Sequence, residues 1–394
     1  MNNNKNKEFD IIVYGATGFT GRLVAEYLHH QYGNGTELTW AMAGRSQAKL
    51  EQVRDEMNLP PNTPLVVADS SDPASMQKLV DRTSGVITTV GPYQLYGETL
   101  LAACASSGTD YVDLCGESVW MRRMIDKYEA ATKKSGARIV FSCGFDSIPS
   151  DLGIYYLQSI AIEKTGKPCA SIQGRVRGLS GTFSGGTAAS IQVSYKEAAT
   201  NPEAYQLAID HFCLVPDYDG VPQPDGDSIH YSDEFKSWVA PFIMAAINTR
   251  NVHRSNALLG FQYGKDFTYD EMLLTGDGKA GEMTANHVAN DKTMVGPDAP
   301  KPGEGPTKEE RDAGFYDMIY SGQMANGEKI IVSDKGDRDP GYGSTCKMLS
   351  ESMVCLLKDA TDTKGGIWTT APAMGDKLIA RLQKNAGVTF TQEL

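Results

Sequence analysis

An apolar run, Phe9–Tyr14, passes directly into Gly15-Ala-Thr-Gly-Phe-Thr-Gly21 and then into residues 22–30, which have helical periodicity. This order constrains the fold more than any other feature of the 394-residue chain. A short buried strand that turns through glycines into a helix is the opening unit of a parallel sheet with helical crossovers. Each glycine meets a separate need: a tight turn, room for a ligand against the backbone, and close packing of helix on strand. The turn aims backbone N–H groups and the positive end of the helix at one point, where an anionic pyrophosphate is stabilised. Gly15, Thr17, Gly18, Phe19, Thr20 and Gly21 are therefore candidate dinucleotide contacts. The spacing is GxxGxxG rather than GxGxxG, and it does not say which dinucleotide.

The second strand speaks to that choice. Residues 38–43 form an apolar run ending in Gly44-Arg45-Ser46. In NAD sites this strand usually ends in Asp or Glu, which accepts from the ribose 2′-hydroxyl and would repel a 2′-phosphate. Here Arg45 offers a guanidinium fork and Ser46 a hydroxyl. A charge-assisted contact of this kind contributes about 1.5 to 3 kcal/mol. NADP(H) is the expected cofactor; the plainer alternative for Arg45 is a solvated side chain after a strand.

Apolar runs continue at 64–68, 85–90, 110–114 and 138–143, with amphipathic segments at 47–57, 73–82, 99–106 and 119–134 between them. Such alternation predicts an α/β fold, a Rossmann-type doubly wound parallel sheet with helices on both faces. Ligands of these sheets collect at the carboxyl ends of the strands. Those ends carry Asp69 and Ser70, then Gly91, Pro92 and Tyr93, then Cys115-Gly116-Glu117, then Cys143 and Asp146. Asp69, Ser70, Gly91, Pro92 and Cys143 are added to the cofactor candidates, the last three near the nicotinamide. Tyr93 and Asp146 are the catalytic candidates, as proton donor and as orienter or donor. The structural alternatives are that Tyr93 covers the sheet edge and that Asp146 caps the helix beginning near Ser150.

Beyond residue 152 the alternation stops. Strands are expected at 171–179, 258–263, 315–323 and 329–333, a helix at 188–199, and irregular chain at 215–227 and to about 290. Residues 295–306 are rich in Gly and Pro and read as an exposed loop, and Asn326-Gly327 reads as a hairpin turn. This predicts a second α+β domain on a mostly antiparallel sheet. The expected division is 1–147 for the NADP-binding domain, 148–340 for the substrate domain and 341–394 for C-terminal helices, at 345–357 and 375–382. Those helices either cover the antiparallel sheet or, the favoured reading, fold back on the first domain. Ser184 and Thr187, in a turn of small residues, and Arg254 are weaker substrate candidates, each with a structural alternative.

Composition narrows the class. A net charge of -12 opposes nucleic acid and anionic membrane as partners. The seven cysteines form no CxxC pair and the histidines no HxxxH pair, so reduced thiols and no metal are expected. The polar N-terminus lacks a signal-peptide core, and the run 238–247 is too short to span a bilayer. A cytoplasmic protein is the expectation. Short-chain reductases share the glycine spacing but need a YxxxK pair, and no tyrosine here has Lys four residues on.

The segments GATGFTG, AGRS, VGPYQLYGE and CGFDSIPSDLG, in that order, resemble the saccharopine dehydrogenase-like oxidoreductases. KPGEGPTKEER and GGIWTTAPAMGDKLIARL are similar to the bacterial branch of trans-acting enoyl reductases. The resemblance implies a Rossmann domain, an α+β domain and hydride transfer to an unsaturated acyl or related electrophile, small or carrier-bound, with homodimerisation left open. Tyr93 and Asp146 fall where true saccharopine reductases carry candidate acid-base groups. Those reductases place a Cys-Gly-Gly turn where this chain has Phe183-Ser184-Gly185-Gly186-Thr187, which argues against amino-acid imine chemistry. A non-catalytic NADP(H)-sensing protein would have much the same sequence.

Overall fold

The computed structural model describes residues 7–293, 296, 299–301 and 303–394. The reading of residues 1–6, and that of 295, 297, 298 and 302 in the expected loop, falls outside them. Six strands form early: β1 Phe9–Tyr14, β2 Trp40–Gly44, β3 Leu65–Val67, β4 Thr83–Thr88, β5 Asp110–Val112 and β6 Arg138–Val140. Ile11, Ile12 and Val13 in β1 are fully buried on both faces, as a central parallel strand covered by helices requires. Six more strands build a second sheet: β7 Ser171–Ser180, β8 His230–Ser232, β9 Ser237–Pro241, β10 Thr268–Gly276, β11 Phe315–Gln323 and β12 Lys329–Gly336. Two short strands close the chain, β13 Gly366–Trp368 and β14 Val388–Gln392.

The first sheet has the order β13-β6-β5-β4-β1-β2-β3 and is parallel throughout. The second has the order β14-β12-β11-β7-β10-β9-β8, and only the β7–β10 pair is parallel. The fold is thus a Rossmann-like parallel sheet joined to a mixed, mostly antiparallel one. Helix Ile148–Thr165 leads from one sheet to the other, and a single core runs from Ile11 and Val13 through Leu152 and Leu157 to Val176 and Tyr320.

Two local readings are corrected. Residues 258–263 form no strand: helix Ala245–Leu258 ends there, and Gly260 and Phe261 take left-handed φ values of 70° and 61°. Asn256 holds that turn, its Oδ1 accepting from Tyr263 N at 2.9 Å and its backbone oxygen from Phe261 N at 2.7 Å. Local capping by an amide side chain outweighs the apolar pattern. Next, the supposedly irregular chain before 290 contains β10 and helix Gly278–Ala289. The apolar run at 238–247, for which no element was expected, splits between β9 and helix Ala245–Leu258, which is buried from Ile247 to Asn256 despite its Asn, Arg and His residues.

The tail serves both sheets. Helix Thr345–Lys358 lies against the first sheet, where Gly85 of β4 leaves the space that Met353 fills. Its Glu351 is enclosed and accepts from Tyr27 and Tyr32 hydroxyls at 2.7 and 2.6 Å and pairs with Arg381 at 3.2 Å. Helix Thr370–Asn385 packs beside it, β13 adds to β6, and β14 adds to β12. Neither reading of the tail included those two strands. Among the described residues no helix is long and apolar enough to cross a membrane.

Candidate active site

The glycine-rich turn has the geometry its sequence requires. Gly15 takes φ 91°, and a Cβ there would lie 2.7 Å from Val90. A side chain on Gly21 would strike the Gly15 carbonyl. Helix Phe19–Tyr32 starts at Gly18 with no side-chain cap, so its first N–H groups remain available to an anion. At the end of β2, Arg45 is exposed, while Ser46 Oγ caps the next helix by accepting from Lys49 N at 3.3 Å. Asp69 lies close enough to feel Arg45; its carboxyl is held below the usual range mainly by Ser71, whose N–H donates at 2.9 Å. Ser70 N donates to the Tyr14 hydroxyl at 2.9 Å. These residues fit a phosphorylated dinucleotide: a turn with glycine at 15, 18 and 21, an uncapped helix end and an exposed guanidinium at Arg45.

Between the strand ends of the first sheet and the second domain lies a cleft of about 540 Å³. Its floor includes Thr20, Gly91, Tyr93, Glu117 and Asp146, and its roof includes Phe183, Ile191, Tyr195, Phe242 and Tyr342. The roof comes from the loop at 181–187, from helices Gly185–Thr200 and Pro202–Ile209, from residues 242–244 after β9, and from the turn Pro340–Ser344.

Asp146 is half-buried at this floor. Its Oδ1 is enclosed and has no hydrogen-bond partner. Burial, and then the negative charge of Glu271, push its carboxyl up to about 7. Glu271 in β10 is itself fixed by Ser150 Oγ at 2.8 Å, Asn248 Nδ2 at 2.8 Å and the Tyr269 hydroxyl at 2.7 Å. Asn251 Nδ2 donates to Ser147 Oγ at 2.8 Å, tying the buried helix to the turn that carries Asp146. Asp146 does not cap the following helix: its N-cap is Ser147, without a side-chain bond.

Tyr93 also reaches the cleft, but with its ring. Its hydroxyl donates to Thr88 O at 3.2 Å and accepts from Leu114 N at 3.3 Å, bridging the ends of β4 and β5. Burial raises its phenol well above the usual value. Glu117 holds the same corner, accepting from Tyr93 N and Gln94 N at 2.8 Å each. Gly91 lines the cleft and Pro92 is buried beside it. Cys143 is fully enclosed, its thiol directed at Val140 O, and its side chain does not reach the cleft.

Ser184 and Thr187 both line the roof, around the Tyr342 hydroxyl: Ser184 N donates to it and Thr187 Oγ1 lies 3.1 Å away. Arg254 is elsewhere, enclosed, donating to Leu214 O and Ile367 O at 2.6 Å each. The guanidinium that does line the cleft is Arg250, and it is bonded to the carbonyls of Asp210, Ala208 and Ala246. Glu271 and Tyr342 were missed by sequence reasoning, and Glu117 was noted at its strand end without a role. Of these, Glu117, five residues past the end of β5, and Tyr342, within Pro340-Gly-Tyr-Gly, carried a local signal.

A family model for the saccharopine dehydrogenase NADP binding domain matches residues 11–140. The chain is 36% identical to the trans-acting enoyl reductase of Mycobacterium ulcerans, over 98% of this chain and 99% of that one. It is 37% identical to the trans-acting enoyl reductase of Mycobacterium bovis, over 98% and 97%. The chain is a saccharopine dehydrogenase-like oxidoreductase of the trans-acting enoyl reductase family. This oxidoreductase uses NADP(H), with the turn at 15–21 inside the matched segment. Its fold is similar to that of apo saccharopine dehydrogenase (L-Glu forming) from Saccharomyces cerevisiae, with a TM-score of 0.53 and 12% identity over 98% of this chain and 100% of that one.

Proposed function

We propose that the chain reduces an unsaturated acyl (enoyl) substrate, small or carrier-bound, in the cytoplasm. The observation that carries this reading is the cleft: apolar walls around one partnerless carboxyl, with its single guanidinium, Arg250, already occupied by backbone carbonyls. An amino or keto acid would need a free cation there; an acyl chain needs apolar surface. The turn at 15–21 and Arg45 hold the pyrophosphate and the 2′-phosphate, with Ser46, Asp69 and Ser70 beside them and Gly91 and Pro92 flanking the nicotinamide end. NADPH, when bound, supplies the hydride.

Asp146 is the proton donor. With its carboxyl raised to about 7, a large share is neutral at physiological pH, and the residue lines the cleft where a proton must be given to substrate. Tyr93, whose hydroxyl is engaged by the sheet, shapes the wall, and Ser184 and Thr187 hold the roof against Tyr342. Mixing the protein and NADPH with an enoyl thioester, an imine and a 2-keto acid, and following reduced nicotinamide, tests this. Oxidation with the enoyl compound alone is the expected result; preference for the imine or keto acid, or no oxidation with any, defeats it.

A further inference from the structure

Phe19 is the only large side chain in the turn at 15–21, and three distant segments converge on it. The Tyr342 ring meets it edge-on, with centroids 5.1 Å apart. Gly305 lies so close that a Cβ would fall 2.6 Å from the ring. The Arg311 guanidinium sits over the ring, 5.7 Å from its centroid.

Arg311 is held there from both sides. Its backbone oxygen accepts from Asp339 N at 3.0 Å, and Glu304 O, at the start of the same strap, accepts from Gly185 N at 3.1 Å. Its half-buried side chain donates once, to Pro306 O at 2.7 Å. Among the described residues it forms no ion pair, although neighbouring cations do: Lys308 and Arg338 both pair with Asp312. Asp339, whose charge Arg311 influences, has its oxygens bonded to Tyr342 N and Gly343 N. A guanidinium has five N–H groups, and this one uses a single donor in a chain of net charge -12. It stands over the one bulky side chain of a turn whose N–H groups await an anion.

We infer that Arg311 is a second-domain contact for the cofactor's pyrophosphate, facing the uncapped N-terminus of helix Phe19–Tyr32. The planar fork suits phosphate oxygens, and its seat on Phe19 limits the freedom lost on binding. The same strap meets the cleft roof at Gly185, so cofactor binding and the roof share one support. This inference rests on NADP(H) binding and not on the enoyl reading, which stands or falls separately.

Calorimetry on the full chain with NADP⁺, ADP and adenosine 2′-phosphate tests it. Arg311→Gln is expected to weaken NADP⁺ and ADP by about ten- to a hundredfold and to leave adenosine 2′-phosphate unchanged. Arg45→Ala is the mirror case, weakening adenosine 2′-phosphate and sparing ADP. ADP affinity within twofold of the parent, or equal losses for ADP and adenosine 2′-phosphate, overturns the assignment. Arg311→Met keeps the stem on Phe19 without the charge and covers the case of a misfolded Gln variant: loss of ADP affinity supports a phosphate contact, and retention shows a packing role only.

Discussion

Asp146 holds its proton to near neutrality because its charged form is enclosed beside Glu271 and receives no hydrogen bond at Oδ1. Reduction should therefore slow as pH rises through about 7, when the donor ionises. Asp146→Asn is expected to lower turnover by about 10²- to 10⁴-fold without changing NADP⁺ affinity. Full turnover in that variant would remove Asp146 from the chemistry. The stability effect runs in the same direction. A folded-state value above the ordinary one of about 3.9 means that the native protein binds the extra proton. Stability from this group is intact below about pH 4, declines as pH rises, and is fully lost above about 7. Asp146→Asn should raise the melting temperature at about pH 8 and leave it unchanged at about pH 4. Glu271→Gln, by removing the like charge, should move the falling limb of the pH profile to lower pH; an unmoved limb would dissociate the two carboxyls. For the cofactor, Arg45→Ala should cost about ten- to a hundredfold in NADPH affinity and nothing for NADH, measured by calorimetry.

At the scale of elements, helix Thr345–Lys358 is the inner support of the first sheet. Its fully buried Glu351 gathers Tyr27, Tyr32, Arg381 and Asn385, which are themselves half-buried. Glu351→Ala removes the buried acceptor of two tyrosine hydroxyls, while Arg381 keeps its pair with Asp359, and should destabilise by about 1 to 3 kcal/mol in denaturant titration. A loss below about 1 kcal/mol, the range of an exposed pair, would contradict the burial argument. Among the strands that could be read beforehand, β1 to β6 carry their signal locally: each is an apolar run bounded by turn residues, with a helix between neighbours. β13 could not be read, because Gly366-Ile-Trp368 has no periodicity and becomes a strand only against the open edge of β6. Helix Ala245–Leu258 was equally hidden. Its buried Asn248, Arg250, Asn251 and Arg254 look like surface residues until their partners across the chain are known.

In the whole molecule the two sheets are not separate bodies. The chain returns after both are built and gives β13 to one and β14 to the other, and the core between them is continuous. Unfolding should therefore be a single calorimetric transition; two resolved transitions would refute this coupling. Deleting residues 387–394 bares the β12 edge and should lower that transition without splitting it.

What was legible in the linear chain was its dinucleotide chemistry. The turn at 15–21, the Arg45 that replaces an acid, and the placing of Asp146 past a strand end all lie within a few residues of the element that presents them. The tertiary structure decided which candidates face solvent and which face protein. It sent the Tyr93 hydroxyl into the sheet and Cys143 into the core, bound Arg254 to distant carbonyls, and brought Glu271 and Arg311 to the site from far along the chain. The reason is physical: a turn and its helix are set by local torsions and hydrogen bonds, whereas burial, charge neighbours and free donors exist only once remote segments have packed together.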